Sequence, residues 1–441
     1  MATEAKQVNL EERFEFDGKV KRPIFIILGL GLIFLVIGLT MAVLGGGHEG
    51  GHALIDAATN SLASTEAVDA TNAEGHGYSW VQRVYANLWI NNVFFTGLAI
   101  IGVFFFAIQY VANAGWSASI IRIMFSLGRF LPISFGLMII VFAIAGHDLF
   151  HWTHESLYDK TSPDYDPIIA GKEGFLNPIF YWGRMIFFFC GWLLFAWFLR
   201  RESYKEDTLG GTKQFRKLVR ISAAFLIFFG LSSSVSAWDW VMSIDTHWFS
   251  TMFGWYVFAS WFVSGLSAIT LLIILLKGWG YLQVVNENHL HDLGKFIFGF
   301  SIFWAYIWFS QFLLIYYANI PEETIYFIER LSSDYYSKII FMNLVLNFIF
   351  PFLILMTRDA KRKTIILKLV CVIVLIGHWF DFYLMITPGT LKAHGTFGFL
   401  EIGMALIYLG VFAFVVFNGL AKKVLVPKNH PMIQESIYHH T

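Results

Sequence analysis

Charge is what this chain has least of. Only 14% of its 441 residues are Asp, Glu, Lys or Arg, while 57% are hydrophobic. A soluble domain carries about a quarter charged residues, so an ordinary soluble fold is excluded. The charge that exists is balanced, 31 Lys and Arg against 31 Asp and Glu, and argues for no nucleic-acid partner. Cysteine is almost missing too. Cys190 and Cys371 both lie in apolar runs. Two thiols exclude a disulfide framework and cannot by themselves make a zinc or iron–sulfur site, so both read as small buried hydrophobes. No C-x-x-C-H segment is present, which excludes covalent haem, and no glycine-rich phosphate loop, which excludes a dinucleotide fold.

What fills the chain instead is long apolar runs. A helix needs roughly 20 apolar residues to cross about 30 Å of hydrocarbon. The run from Ile24 to Leu44 holds no charge at all. In lipid each backbone amide must be satisfied within its own segment, so these runs are expected to be helices. The pattern predicts an all-α integral membrane protein with ten spans near 24–44, 89–112, 127–148, 178–199, 218–240, 254–276, 294–317, 338–356, 364–386 and 398–420. The expected organisation is a cytoplasmic segment 1–23, a membrane domain 24–420 and a cytoplasmic tail 421–441. The first run is too long for a signal-peptide core and reads as a retained helix.

Orientation follows from Lys and Arg. With both termini and the even-numbered loops inside, 24 of the 31 cations fall on the inner side and 7 on the outer. The outer loops, near 45–88, 149–177 and 318–337, are long. The first contains His48, His52 and His76, whose spacing fits no zinc pattern. The third carries Glu322, Glu323, Glu329 and Asp334 and reads as a solvated acidic loop.

Ionisable groups in a membrane are costly and tend to mark pathways or sites. Here they gather toward the outer half: His147, Asp148 and His151 at the end of helix 3, Arg184 at the start of helix 4, Asp239 at the end of helix 5, His378 and Asp381 late in helix 9, and Glu401 early in helix 10. His147 and His151 share a face if helix 3 continues that far, and His378 and Asp381 share one at a spacing of three. A His–carboxylate pair suits proton work, either in quinol oxidation or in a proton half-channel. His147, Asp148, Asp239, His378, Asp381 and Glu401 are expected to converge on one hydrated cavity, open outward. Two securely membranous histidines are too few for a di-haem bundle, so no haem, metal or cluster is expected in the chain.

The stretch Ser232–Gly265 carries a family signal. Asp239-Trp240 is followed by Asp245-x-His247-Trp248-Phe249-Ser250 and Gly254-x-Tyr256. Downstream come His291-Asp292-Leu293-Gly294-Lys295, Phe303-Trp304-Ala305-Tyr306, Trp308-Phe309-Ser310-Gln311 and Asn319-Ile320-Pro321-Glu322-Glu323-Thr324. This series resembles the NrfD/polysulfide-reductase membrane-anchor family, and within it the ActF-type membrane subunit of alternative complex III, a quinol:cytochrome c oxidoreductase. The resemblance implies two four-helix bundles plus peripheral helices. It implies as partners a sister NrfD-like membrane subunit, an iron–sulfur subunit, and multi-haem and mono-haem cytochrome c subunits, with c-type haems and iron–sulfur clusters held outside this chain. It implies menaquinol as donor to the complex and the inner membrane as location, with the sister subunit the better candidate for quinol oxidation. Three functions therefore compete. The first is a cofactor-free respiratory subunit that serves assembly and proton conduction, or seats a quinone of its own. A secondary transporter would place its site at midplane on broken helices, and the polar groups lie outward instead. A b-type cytochrome is weakened by the histidine count.

Overall fold

The computed structural model describes residues 11–60 and 80–440, with backbone alone for 45–60. Among them lie ten helices long and apolar enough to cross a membrane. They are α1 (Gly18–Leu44), α2 (Trp80–Val111), α3 (Ile121–Leu149), α4 (Pro178–Leu209), α5 (Gly211–Ile244), α6 (Phe253–Gly278), α7 (Glu287–Ala318), α8 (Asp334–Ile354), α9 (Thr364–His394) and α10 (Phe399–Leu420). The protein is an all-α, multi-pass membrane protein. Each expected span has its helix, and most helices run beyond the apolar core into polar sequence. The backbone of α1 stays helical to Asn60 where a loop from residue 45 was expected. The side chains of His48 and His52, and all of His76, lie outside the described residues.

Local chemistry fixes the ends. Asn177 caps α4 by accepting from the Phe180 amide at 2.8 Å, and Pro178 supplies a first residue with φ already helical. Asn286 caps α7 through the amides of Asn288 and His289. Gly210 and Gly211, at φ of 58° and 77°, make the tight turn from α4 to α5, a conformation that side chains resist. In α8 the residues Val345–Ile349 form a π-helical turn just before Pro351, a widening that neighbouring helices must tolerate.

Helices α2 to α5 pack as one four-helix bundle and α6 to α9 as a second. α2 and α6 join the two and are buried along nearly their whole length. α1 and α10 pair with each other outside the bundles, and α10 rests on α2. Their pairing is close: a Cβ on Gly403 would lie 2.4 Å from the Leu35 amide nitrogen, and one on Gly38 2.4 Å from that of Leu400. Small residues let backbones approach this way in lipid, where apolar burial drives no association. The outward faces are apolar, with Ile227 71% and Ile365 82% exposed. Such a surface is what lipid covers. Cys190 lies on that exposed surface, not buried as its apolar run suggested, whereas Cys371 is buried.

The described segments before α1 and after α10 lie at one end. The Leu425 amide donates to Glu12 O at 3.1 Å, and Lys428 pairs with Glu11 at 2.5 Å. The tail then runs under α4, where Asn429 donates to Asp207 O at 2.7 Å. At the other end the expected 318–337 loop contains an amphipathic helix, Pro321–Leu331. Its Arg330 is buried and donates to Asp245 at 2.8 Å and to the carbonyls of Tyr326, Leu384 and Met385. Burial works to lower the Arg330 pKa, but the Tyr326 hydroxyl and the Asp245 carboxylate outweigh it and hold it above the ordinary value.

Candidate functional site: a buried histidine–aspartate pair in the second bundle

His378 and Asp381 project from α9 into the middle of the second bundle, and neither has exposed surface. Every helix of that bundle contributes a polar side chain to them. From α6, the Tyr256 hydroxyl donates to Asp381 Oδ1. From α7, Trp304 Nε1–H donates to Oδ2 at 2.8 Å. From α8, Asn343 donates to Oδ1 at 2.8 Å and itself accepts from Asn347 at 2.5 Å. The π turn begins two residues after Asn343 and includes Asn347. Asp381 thus accepts three hydrogen bonds, one from each of the other helices of the bundle. His378 Nδ1 shares a hydrogen bond with Ser260 Oγ on α6 at 3.0 Å and lies 3.7 Å from Asp381 Oδ2. That last distance is too long for a hydrogen bond but close for charge. The Trp304 ring meets the imidazole edge-on at 5.4 Å. His378 Nε2 is buried with no partner in the structure.

Below His378 the same α6 carries Ser260, Ser264, Ser267 and Thr270, all fully buried. Their spacing of four, three and three keeps them on one helix face over about 15 Å. Ser264 and Thr270 donate to their own helix, to Ser260 O at 2.6 Å and Leu266 O at 2.8 Å, while Ser267 Oγ has no partner in the structure. A hydroxyl donates and accepts at once, so a file of them passes protons where an amide file cannot.

The other expected site residues do not join this pair. Arg184 and Asp239 form a bidentate ion pair between α4 and α5, at 2.7 and 2.8 Å, with the guanidinium also over the Phe175 and Phe180 rings. Glu401 of α10 pairs with Arg83 at 2.6 Å and accepts from Asn87 at 2.9 Å and from the Gly398 amide at 2.7 Å. His147 and Asp148 are exposed at the end of α3. α3 stops at Leu149 and Phe150 turns extended, so His147 and His151 do not share a helix face. Instead both rings lie 5.6 Å from His154. The expected convergence on one cavity therefore fails. The residues belong to the same end of the molecule but point to different helix interfaces. Depth separates them as well. Asp381 lies about 15 Å along the helix from Leu391, whereas Asp239 and Glu401 lie within one turn of their helix ends.

No protein-family model and no curated protein matches this chain. The site is accordingly read from its own residues.

Several of those residues were missed in the sequence. Arg83 was placed in a loop, yet α2 begins nine residues before its expected start and carries Arg83 on its first turn. Asn87 and Asn91 continue that face, and Asn91 Oδ1 accepts from Trp379 at 2.9 Å, tying α2 to α9. At the basic end, Glu206 is fully buried and accepts from Tyr110 at 2.9 Å, and Arg122 pairs with Asp207 at 2.6 Å. The α6 hydroxyls were missed as well, although their helical spacing could have shown them. Tyr256, Trp304 and Asp245 stood in the quoted motifs without a chemical role.

Proposed function

We propose that this chain is a cofactor-free membrane subunit of a quinol:cytochrome c oxidoreductase of the alternative complex III type, and that it provides that complex with a proton path. The observation that carries the reading is the file of buried polar groups from Asp381 through His378 and Ser260 down the α6 hydroxyls. Burying such groups in lipid is expensive, and a structural ion pair needs no hydroxyl file beneath it. His378 takes a proton at one ring nitrogen and releases one at the other, beside a carboxylate that stabilises the charged ring. The helix rise between successive hydroxyl-bearing residues of α6 is about 4.5–6 Å, a span that one bridging water would cover. The motif series supports the family assignment, and with it the sister membrane subunit, the iron–sulfur subunit and the cytochrome c subunits as partners. The charge split supports placing the basic end and both termini in the cytoplasm, in the inner membrane. Tyr256 then faces the outer side and Thr270 the inner.

A quinone seat at the same pair is the weaker reading. Both Asp381 oxygens are taken by side chains of the bundle, and neither His378 nor Asp381 is exposed. The unpartnered His378 Nε2 is itself buried, so as arranged the pair offers a head group no exposed acceptor, and menaquinol oxidation is assigned to the sister subunit.

The test is the intact complex in sealed vesicles. Asp381→Asn and His378→Gln should lower coupled proton movement by about 10²-fold, the lower end of what a positioned acid–base group contributes. The c-type haem content of the copurifying subunits should stay unchanged. Normal coupling in both variants, or purification of the chain without haem-bearing partners, would overturn the proposal.

A further inference from the structure

At the basic end of the first bundle, α4 and α5 part around a cavity of about 490 Å³. Arg201 and Lys205 of α4 and Lys217 and Arg220 of α5 line it, against the single carboxylate of Glu202. That carboxylate is already saturated. Lys205 meets one oxygen at 2.9 Å, and Lys217 and Gln214 meet the other at 2.9 and 2.8 Å. Arg201 and Arg220 have no acidic partner among the described residues, and Arg201 lies over the Trp197 ring at 5.1 Å. Toward the hydrocarbon the lining changes to Phe195, Phe198, Ile221 and Ala224. The same faces then run on as Leu194 and Ile227, 54% and 71% exposed.

We infer that this cavity seats an anionic phospholipid. The phosphate lies against Arg201 and Arg220, and an acyl chain runs down the slot between Phe198 and Ile221. Three observations select a lipid over other anions. The cationic part sits at the helix ends, where a headgroup lies. The apolar part sits directly beneath it and opens sideways, so a free phosphate would leave half the site empty. The cup holds four cations and one neutralised acid, an arrangement that basic pockets between membrane helices use for anionic headgroups. The volume also falls within the range of small-ligand sites.

The full chain is returned to nanodiscs of phosphatidylcholine alone or with phosphatidylglycerol, and retained lipid is counted by native mass spectrometry. The parent should keep one phosphatidylglycerol in preference to phosphatidylcholine. Arg201→Gln and Arg220→Gln should each weaken that preference about fivefold and together about 25-fold, since each cation near the surface contributes independently. Both side chains are exposed, and the single variants suffice if the double one is unstable. Arg216→Gln, an exposed cation outside the cavity, should leave the preference unchanged. The inference is overturned if the double variant keeps the preference, or if Arg216→Gln lowers it equally. It is also overturned if millimolar inorganic phosphate displaces the lipid, or if a photo-crosslinker at residue 201 captures an acidic protein in native membranes.

Discussion

Arg184 and Asp239 form a buried ion pair in the first bundle. Both are buried, and the guanidinium fork meets both carboxylate oxygens. Removing one partner of such a pair strands a charge in a medium that cannot solvate it, at about 3–5 kcal/mol. Arg184→Ala should therefore lower the thermal unfolding temperature sharply in mild detergent. Arg184→Leu combined with Asp239→Leu should recover most of that loss, because the pair itself gains little over apolar packing. If the double variant is as unstable as the single one, the bond does more than neutralise itself. Single residues were only partly legible in the sequence. His378 and Asp381 could be paired because they are three apart on one helix. Tyr256, Trp304 and Asn343 could not be joined to them, because they lie tens of residues away on other helices. The expectation that all the outer acids and bases would converge failed for a related reason: hydropathy gives depth along a helix, and says little about which neighbour a side chain faces.

Elements outside the membrane respond to pH in their own way. The tail after α10 folds back on the basic end. Its His430 is buried between the Tyr110 and Phe215 rings and accepts from the Met432 amide at 3.2 Å. Burial, with help from the Arg122 charge, pushes the His430 pKa down to about 4. An unfolded histidine titrates near 6.5. Between these values the undocked tail binds the extra proton, so docking is fully stable above about pH 6.5 and weakens as pH falls toward 4. At pH 5 the loss should be roughly 2 kcal/mol, read as faster amide exchange across residues 424–433. His430→Phe keeps the ring packing and should flatten that dependence; unchanged acid sensitivity in the variant would overturn the assignment to His430. Element boundaries were the least legible feature. The apolar runs marked where lipid begins, but α2, α4 and α7 continue through polar residues that find partners on other helices.

At the scale of the whole molecule, ten spans among the described residues put the segments before α1 and after α10 on one side, and the contact between Glu12 and Leu425 agrees. Single cysteines at Thr212 and Lys160, introduced beside Cys190→Ala, should label from opposite faces, with Thr212 reached from the cytoplasm. Labelling of both from one side would refute the alternation. Ten helices were accessible to sequence reasoning because lipid leaves the backbone so few choices, whereas their two bundles were expected only from the family resemblance. The pairing of the first span with the last was expected from neither, and it has a consequence for how the protein is made. α1 packs chiefly on α10, with only slight contact to α2, and the ribosome delivers α10 roughly 350 residues later. At about 5–20 residues per second, the first helix waits roughly 20–70 s in the bilayer before its partner exists. Its uncharged run from Ile24 to Leu44, the most apolar of the ten, suits it to that solitary interval. The closing of α10 onto Gly31, Gly38 and the turns between them is then a late act of assembly, a latch that cannot shut until the tenth span is made.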